Sequence, residues 1–201
     1  MKRSVSKKNR WSDHYTQRAK REKYPARSVY KLDEIQRKFR PIKKNDKVLD
    51  LGCFPGSWLL YAADLTKHHG RVVGIDLKPV AIQLPPHVTT HTGDILSLGD
   101  SFFAQVGLDF NVVLSDMAPA TSGQKSVDAA RSFELCRTAL TIAQRVLLPG
   151  GSFVCKIFHG EDFKEFAASV RNNFKSQKIF KPQGSRKTSK EIFVIGLGYK
   201  A

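Results

Sequence analysis

Short apolar segments alternate with longer stretches of mixed polarity along the chain, and glycine, proline or aspartate often separates them. Runs of about four to eight residues rich in Val, Ile, Leu and Phe are typical of strands buried in a sheet. The pattern predicts strands over much of the chain. They cover residues 47–51, 71–76, 88–92, 109–116, 152–158, 178–181 and 191–196.

Between these strands, apolar residues recur every three or four positions, which is the spacing of an amphipathic helix. The first helix is predicted at residues 28–39, and Pro41 ends it. Ser57 is predicted to cap the second helix, and Pro-Gly-Gly at residues 149–151 is predicted to turn into the fifth strand. The later helices cover residues 58–67, 128–147 and 162–174.

Strands that alternate with helices predict the α/β class, with a mostly parallel sheet and helices on both of its faces. Residues 182–185, Pro-Gln-Gly-Ser, are typical of a hairpin connection, so one strand near the C-terminus is expected to run antiparallel. A chain of 201 residues fits a single domain. Ligands of such sheets bind beyond the carboxyl ends of the strands.

Charge is distributed unevenly along the sequence. The 34 Lys and Arg residues against 18 Asp and Glu give a formal charge of +16. Residues 1–47 carry a net +12 and residues 159–201 a net +5, whereas residues 48–158 carry a net −1. This distribution indicates a nearly neutral core whose basic ends hold a polyanion. For residues 1–10, a solvated tail that only aids solubility is the alternative.

From Arg10 onward, aromatic residues are interleaved with basic ones, a mixture that suits phosphate contacts and stacking on unpaired bases. Packing of the same rings in the hydrophobic core is the alternative. We expect a basic RNA-binding segment at about residues 1–27. The aromatic residues of this segment are Trp11, Tyr15 and Tyr24, and Tyr30 follows shortly after it.

Several classes of protein are excluded by what the sequence lacks. No apolar run approaches the roughly 20 residues of a membrane-spanning helix, and the basic N-terminus has no apolar segment or cleavage site after it. Cys53, Cys136 and Cys155 are an odd number without close spacing, which supports neither a disulfide framework nor a zinc site. The six histidines also lack metal-ligand spacing. We expect a cytoplasmic protein with free thiols and no catalytic metal.

A glycine turn after the first strand and an acidic residue ending the second indicate a nucleoside site. Gly52 and Gly56 let the backbone approach a ligand, and Asp76 can accept hydrogen bonds from a ribose diol. The turn lacks the Gly-x-Gly-x-x-Gly spacing, and Pro55 offers no amide donor, so a ligand without phosphates fits better than a dinucleotide. Asp94, after the third strand, is a candidate adenine contact or, alternatively, a turn or helix-capping residue.

Four charged residues are predicted to converge above the sheet. Lys156 is the most informative, because a lysine inside an apolar strand is costly unless it is paired or used. Two lysines and two carboxylates leave the group roughly neutral, so it can be buried. A structural salt bridge between Lys156 and Asp116 is the alternative. The four residues are Lys31, Asp116, Lys156 and Glu191.

On these residues the sequence resembles the RrmJ/FtsJ family of ribosomal RNA large-subunit 2′-O-methyltransferases, from about residue 10 to residue 198. The resemblance implies a Rossmann-like fold with a seven-stranded sheet that uses S-adenosylmethionine. The segments that carry it are residues 30–35, 50–52, 55–56 and 58, 115–119, 149–156 and 185–191.

The resemblance also implies a role for each candidate residue. The family's catalytic Lys-Asp-Lys-Glu set falls on Lys31, Asp116, Lys156 and Glu191. Its methyl-donor contacts fall in and around the glycine turn that begins at Gly52, on Gly56, Trp58, Asp76, Asp94 and Asp116. The implied substrate is the ribose 2′-hydroxyl of a uridine in the A loop of 23S rRNA, within the large ribosomal subunit. No stable protein partner is implied, and a monomer is expected.

Methylation of a hydroxyl requires in-line approach to the methyl group and the loss of a proton. We expect Lys156 to take this proton, Asp116 and Glu191 to orient Lys156, and Lys31 to hold the ribose or its phosphate. Because an ordinary lysine is charged at neutral pH, a charged Lys156 that only orients the oxygen stays open.

Other functions stay open on the same residues. A 2′-O-methyltransferase of tRNA or an mRNA cap would use the same four side chains, and an RNA-binding ribosome-assembly factor without catalysis is a third interpretation. The spacing of the glycine turn disfavours an NAD-dependent oxidoreductase.

Overall fold

The computed structural model of the chain describes residues 7–120, 122–185 and 189–200, with the backbone alone for residues 7–13 and 125. The first six residues of the predicted RNA-binding segment, the Trp11 side chain and Arg186 lie outside the described residues. Within the described part of the chain, no helix is long and apolar enough to cross a membrane. No group of three or more His, Cys, Asp or Glu side chains there is placed to hold a metal ion.

The described residues form a single seven-stranded sheet. Its strands are β1 (Lys47–Leu51), β2 (Arg71–Asp76), β3 (Val88–Thr92), β4 (Phe110–Ser115), β5 (Leu147–Phe158), β6 (Phe174–Phe180) and β7 (Glu191–Tyr199). Across the sheet their order is β3-β2-β1-β4-β5-β7-β6. Neighbours among β1 to β5 pair in parallel, and β7 pairs antiparallel with both β5 and β6. The predicted α/β fold with one antiparallel strand is confirmed.

Six α-helices and a short 3-10 helix surround the sheet in the described residues. They are α1 (Lys7–Arg21), α2 (Val29–Phe39), α3 (Ser57–Thr66), the 3-10 helix (Ile95–Ser97), α4 (Asp100–Val106), α5 (Lys125–Val146) and α6 (Phe163–Asn173). Of these, α1, the short α4 and the 3-10 helix have no counterpart in the prediction: residues 7–21 were expected only as a basic RNA-binding segment. The last two are too short to show a clear helical periodicity.

Neighbouring residues of the central strands face opposite sides of the sheet, as the pleat requires. Val48 and Leu114 pack with residues of α2 and α3 on one face. Leu49 and Val113 pack with residues of α4, α5 and α6 on the other. Helices therefore cover both faces, as predicted.

The strand β5 begins earlier than predicted. Leu147, directly after α5, already pairs with Phe110, and the register then shifts before Val112 pairs with Ser152. Residues 149–151 lie inside β5 at this shift in register, with Gly150 at a positive φ of 85°, so the prediction that the strand begins only after them is wrong. Extra residues on one of two paired strands form a bulge, a place where Pro and Gly are tolerated within a strand.

The start of α3 also differs from the prediction. Ser57 does not cap the helix: Gly56 precedes it with φ of 107°, and the Ser57 hydroxyl accepts a hydrogen bond from the Ala26 N–H at 2.7 Å. The serine thus ties the segment before α2 to the beginning of α3. Long-range contact, and not capping, explains a serine at this position.

The three cysteines are buried and free, which confirms the prediction of free thiols. Burial raises the pKa of the Cys53 and Cys155 thiols above the ordinary value. Because the thiolate is the reactive form, these side chains behave as small apolar core residues.

Candidate active site

Three of the four predicted catalytic residues lie at one edge of the sheet, on adjacent strands. Asp116 follows β4, Lys156 lies two residues before the end of β5, and Glu191 begins β7. Because β7 runs antiparallel to β5, Glu191 pairs with Phe158, the last residue of β5. The reversal of β7 therefore brings the start of that strand to the edge where the parallel strands end.

Strand alternation gives these three side chains a common face. Each lies two positions from a residue buried beneath α2 and α3, and side chains two apart in a strand share a face. Those buried residues are Leu114, Val154 and Phe193. Lys31, in the first turn of α2, approaches from the same face.

The four side chains form one network of ion pairs. Lys31 Nζ lies 3.2 Å from Asp116 Oδ1 and 3.3 Å from Glu191 Oε1. Lys156 Nζ lies 3.0 Å from Asp116 Oδ1 and 3.9 Å from Glu191 Oε1. It also donates a hydrogen bond to the backbone carbonyl oxygen of Asp116. Each ammonium group thus faces both carboxylates.

The network is enclosed but not sealed. The side chain of Lys156 is only 4% exposed, whereas those of Asp116 and Glu191 are 15% and 18% exposed. Equal numbers of positive and negative groups avoid an uncompensated buried charge. The salt bridge between Lys156 and Asp116 is present, but a purely structural pair would need neither Lys31 nor Glu191. A ligand could reach the network from the side of the carboxylates.

The glycine turn after β1 needs residues without a side chain. Gly52 and Gly56 have positive φ angles of 80° and 107°. A Cβ on Gly52 would lie 2.3 Å from Met117 Cγ, and one on Gly56 would lie 2.6 Å from Ile82 Cδ1. The turn therefore packs closely against the loop after β4 and the segment after β2.

Asp76, at the end of β2, is held in a fixed orientation. One carboxylate oxygen accepts the Phe54 N–H at 3.0 Å, and the other accepts the Lys78 N–H at 2.9 Å. Each oxygen keeps a further lone pair for a ribose hydroxyl. Asp94 accepts the Leu96 N–H at 2.9 Å and caps the 3-10 helix, which is the structural role weighed against an adenine contact.

The indole of Trp58 is part of the hydrophobic core. Its Nε1 donates to the Ser28 carbonyl oxygen at 2.9 Å, and its ring lies 6.0 Å from that of Phe193. Trp58 lies in the first turn of α3, where backbone N–H groups have no partner within the helix. A contact between Trp58 and a bound donor would therefore use its backbone N–H.

One candidate residue was missed by the sequence reasoning. Asp50 is fully buried in β1, and its Oδ2 is one of the buried side-chain oxygens that have no hydrogen-bond partner among the described residues. Burial, together with the charges of Asp116 and Asp76, raises the pKa of its carboxyl well above the ordinary value. An aspartate between the leucines of an apolar strand was the signal that could have identified it.

Exposed apolar side chains follow the ends of β1, β2 and β3. They belong to Phe54, Leu77 and Leu96. Together with the Asp76 carboxylate and the glycine turn, they give this edge the features of a nucleoside site: acceptors for a ribose diol beside an apolar surface for a base. The residues present therefore fit an adenosyl group without phosphates.

A candidate nucleoside site beside an ion-pair network at adjacent strand ends indicates a methyltransferase. The known proteins that are similar to this chain agree with this class. The FtsJ-like methyltransferase family matches residues 24–199. The chain belongs to this family.

Named relatives cover almost the whole chain. The Ribosomal RNA large subunit methyltransferase E of Desulforapulum autotrophicum is 59% identical over 198 residues, which are 98% of each chain. The protein of the same name from Desulfatibacillum aliphaticivorans is 50% identical over 200 residues, 100% of this chain and 97% of that one. Among solved structures, a putative ribosomal RNA methyltransferase from Plasmodium falciparum has a TM-score of 0.77 and 26% identity, covering 88% of this chain and 98% of its own.

Proposed function

We propose that this protein transfers a methyl group from S-adenosylmethionine to the ribose 2′-hydroxyl of a uridine in the A loop of 23S rRNA, within the large ribosomal subunit. The observation that carries the proposal is the convergence of two lysines and two carboxylates, from Lys31, Asp116, Lys156 and Glu191, beside a nucleoside site. The names of the relatives support ribosomal RNA as the substrate.

The donor binds at the carboxyl ends of β1 to β4 in this proposal. Asp76 accepts hydrogen bonds from the ribose diol, and the N-terminal turn of α3 approaches the ligand past the two glycines of the turn. When bound, S-adenosylmethionine supplies a methyl group on a positively charged sulfur. The residues assigned to donor binding are Gly52, Gly56, Trp58, Asp76, Asp94 and Asp116.

Lys156 contacts the 2′-hydroxyl and takes its proton as the oxygen receives the methyl group. The O–H bond breaks and an N–H bond forms on Lys156, while the new O–C bond replaces the bond between the methyl carbon and sulfur, whose electron pair leaves with the demethylated donor as a neutral thioether. Lys156 acts in this step as the neutral amine. Asp116 and Glu191 orient Lys156, and Lys31 holds the ribose or its phosphate. Positioning of this kind can lower a barrier by roughly 7 to 11 kcal/mol.

The basic N-terminal segment, at about residues 1–27, contacts the RNA backbone in this proposal. Lys20, Arg21 and Lys23 lie in and just after α1, and the chain then enters α2, which carries Lys31. The segment therefore leads directly to the active site. We further propose that the chain acts in the cytoplasm as a monomeric single domain.

The test is methyl incorporation from labelled S-adenosylmethionine into undermodified large subunits, naked 23S rRNA and tRNA, followed by mapping of the modified nucleotide. We expect methylation of one uridine ribose in the A loop and strong preference for the subunit. Methylation of tRNA alone would show that the substrate is tRNA and not ribosomal RNA. An absence of donor binding in calorimetry would instead support an assembly factor without catalysis.

A further inference from the structure

A cavity of about 340 Å³ lies beside the active site, between α1, α2 and the end of β6. Its volume is within the range of small-molecule sites. We call it the α1–α2 cavity. It is lined mainly by Tyr15, Arg18, Tyr30, Glu34, Arg37 and Phe180.

The α1–α2 cavity and the active site share the helix α2. Tyr30 and Glu34 line the cavity, and Lys31, between them in sequence, binds Asp116. Gly184 packs against this turn of α2, since a Cβ there would be 3.3 Å from Glu34 Oε1 and 3.7 Å from the Lys31 backbone nitrogen. A polynucleotide with one ribose at the catalytic lysines therefore has a neighbouring nucleotide within reach of the cavity.

The charges around the cavity are compensated. Arg18 Nε donates to Glu22 at 2.8 Å, and Arg37 pairs with Asp33 at 2.9 Å. The two carboxylate oxygens of Glu34 accept the backbone N–H groups of residues 183 and 184. Among the described residues that line the cavity, both arginines are therefore paired with a carboxylate, and neither presents an unpaired charge to a phosphate. Aromatic rings and carboxylate acceptors suit the face and the N–H groups of a nucleobase instead.

Arg18 provides a flat surface within this cavity. Its guanidinium carbon lies 4.4 Å from the centroid of the Tyr30 ring, and the Tyr30 hydroxyl donates to Glu22 at 3.0 Å. The shared carboxylate of Glu22 thus holds both groups in place. A guanidinium stacked on one side by an aromatic ring can stack on a base with its other side, and the Arg18 side chain is 32% exposed.

We propose that the α1–α2 cavity binds an unpaired base next to the methylated nucleotide, stacked on the Arg18 guanidinium. Remaining lone pairs of the Glu34 carboxylate accept hydrogen bonds from N–H groups on the edge of that base. This inference rests on the proposed function, because it assigns the cavity to the same RNA. It makes the cavity a second point of attachment that fixes which ribose reaches Lys156.

The test is Arg18→Lys in the full chain, which keeps the positive charge near Glu22 but removes the planar guanidinium. Binding to undermodified large subunits should weaken about 5- to 10-fold, the lower part of the loss found when a stacking side chain is removed. S-adenosylmethionine affinity should stay unchanged. Arg145→Lys is the matched control, because Arg145 also stacks on a ring, that of Phe103 at 4.0 Å, and pairs with Asp100.

A second measurement uses large subunits reconstituted with 23S rRNA that carries one abasic nucleotide beside the methylated one. Removing the base that occupies the cavity should weaken binding of the wild type about as much as Arg18→Lys does. The same abasic nucleotide should cause little further loss of binding in the Arg18→Lys variant. Equal binding by Arg18→Lys and wild type, or additive losses at every abasic position, would overturn the inference. If wild type methylates the intact subunits in those experiments, the proposed function still stands; if it methylates none, both fail.

Discussion

The ammonium group of Lys156 has three N–H donors, and its surroundings use them unequally. Two are directed at the backbone oxygen and at Oδ1 of Asp116, whereas Glu191 Oε1 lies farther away at 3.9 Å. The loosest of the three contacts is thus the one that a substrate hydroxyl can replace. Asp116 would then hold the ammonium group in position through its two contacts, and Glu191 would act on it only through the attraction of its charge at longer range.

This arrangement predicts that Lys156→Ala lowers the single-turnover rate of methylation by about 10²-fold or more. In the wild type the rate should rise with pH through one ionisation, and that ionisation should be absent from the variant. Lys67→Ala, which removes an exposed lysine paired only with Asp64 at the surface, is the control and should match the wild type. A flat pH profile with the same loss in the variant would assign Lys156 to orientation alone.

Asp50 predicts an unusual dependence of stability on pH. Because burial raises the pKa of its carboxyl in the folded state, the folded protein keeps a proton that the unfolded chain releases above about pH 3.9. Its contribution to stability therefore falls as pH rises from the unfolded towards the folded pKa. Asp50→Asn has no carboxyl at this position, so this fall disappears. Between the two pKa values, the free energy of unfolding of the variant should therefore increase by about 1.4 kcal/mol relative to that of the wild type for each rise of one pH unit.

Urea unfolding without ligand, from about pH 4 to pH 7, measures this difference in the free energy of unfolding. Asp64→Asn, which makes the same replacement at an exposed site on α3, is the control for the change of side chain alone. A constant difference for Asp50→Asn would show that Asp50 is ionised in the folded protein.

Single residues differ in how much of their role the sequence discloses. The cost of a lysine among Phe153, Val154 and Ile157 is visible in the sequence, so the importance of Lys156 could be predicted. The position of Asp50 between two leucines is visible in the same way, but its unpaired oxygen is not, because only the packing around β1 shows that no donor among the described residues reaches Oδ2. Trp58 was assigned to the donor site, yet its indole packs in the core.

At the scale of the structural elements, the glycine turn between β1 and α3 predicts how a glycine-to-alanine substitution affects stability and donor binding. Gly52→Ala should destabilise the fold by more than the roughly 1 to 2 kcal/mol of a positive φ, because its Cβ would also overlap Met117 Cγ. It should weaken S-adenosylmethionine binding as well, since Met117 follows Asp116. Thermal unfolding and calorimetry measure the two effects.

Gly150→Ala is the matched comparison for the turn. Gly150 has φ of 85°, and no atom lies within 4 Å of the position that its Cβ would take. This variant should show the backbone cost alone and bind the donor normally. Equal effects of the two substitutions would mean that the contact with Met117 adds nothing.

Element boundaries were the least predictable part of the fold. The periodic centres of α2, α3 and β1 were visible because their own side chains repeat at helical or strand spacing. The start of β5 was not, since Leu147 joins the sheet through Phe110, a residue 37 positions earlier. Pairing partners of this kind are absent from any local window of sequence.

At the scale of the whole molecule, the net charge of +16 predicts binding to RNA that weakens strongly with salt. Each phosphate contact contributes a slope of about −0.7 to −0.9 in log K against log salt. A triple variant of exposed basic residues at the end of α1 should therefore flatten the slope by up to about 2 to 3. The changes are Lys20→Gln, Arg21→Gln and Lys23→Gln.

The control removes the same charge from the opposite edge of the sheet. Lys43, Lys44 and Arg71 are exposed at the amino ends of β1 and β2, away from the active site. Their replacement by Gln should leave the slope nearly unchanged. Equal slopes for both triple variants would mean that the α1 charges act only through the total charge of the protein.

The overall architecture could be predicted more fully than the site. Alternating strands and helices are enough to indicate a sheet covered on both faces, and the resemblance to a known family supplied the roles of the four charged residues. Their contacts could not come from periodicity, because Lys31 and Glu191 are 160 positions apart. The cavity beside α2 was also unforeseen, since it is formed by residues from both ends of the chain.

The antiparallel strand β7 has a consequence for the protein during its translation. Translation produces Lys31 early, Asp116 and Lys156 much later, and Glu191 only with β7, after every other strand of the sheet has been made. A nascent polypeptide halted before this strand leaves one side of β5 unpaired and lacks one of the two carboxylates. With the roles proposed above, the chain is therefore expected to methylate only after β7, the last strand to be synthesised, has paired between β5 and β6.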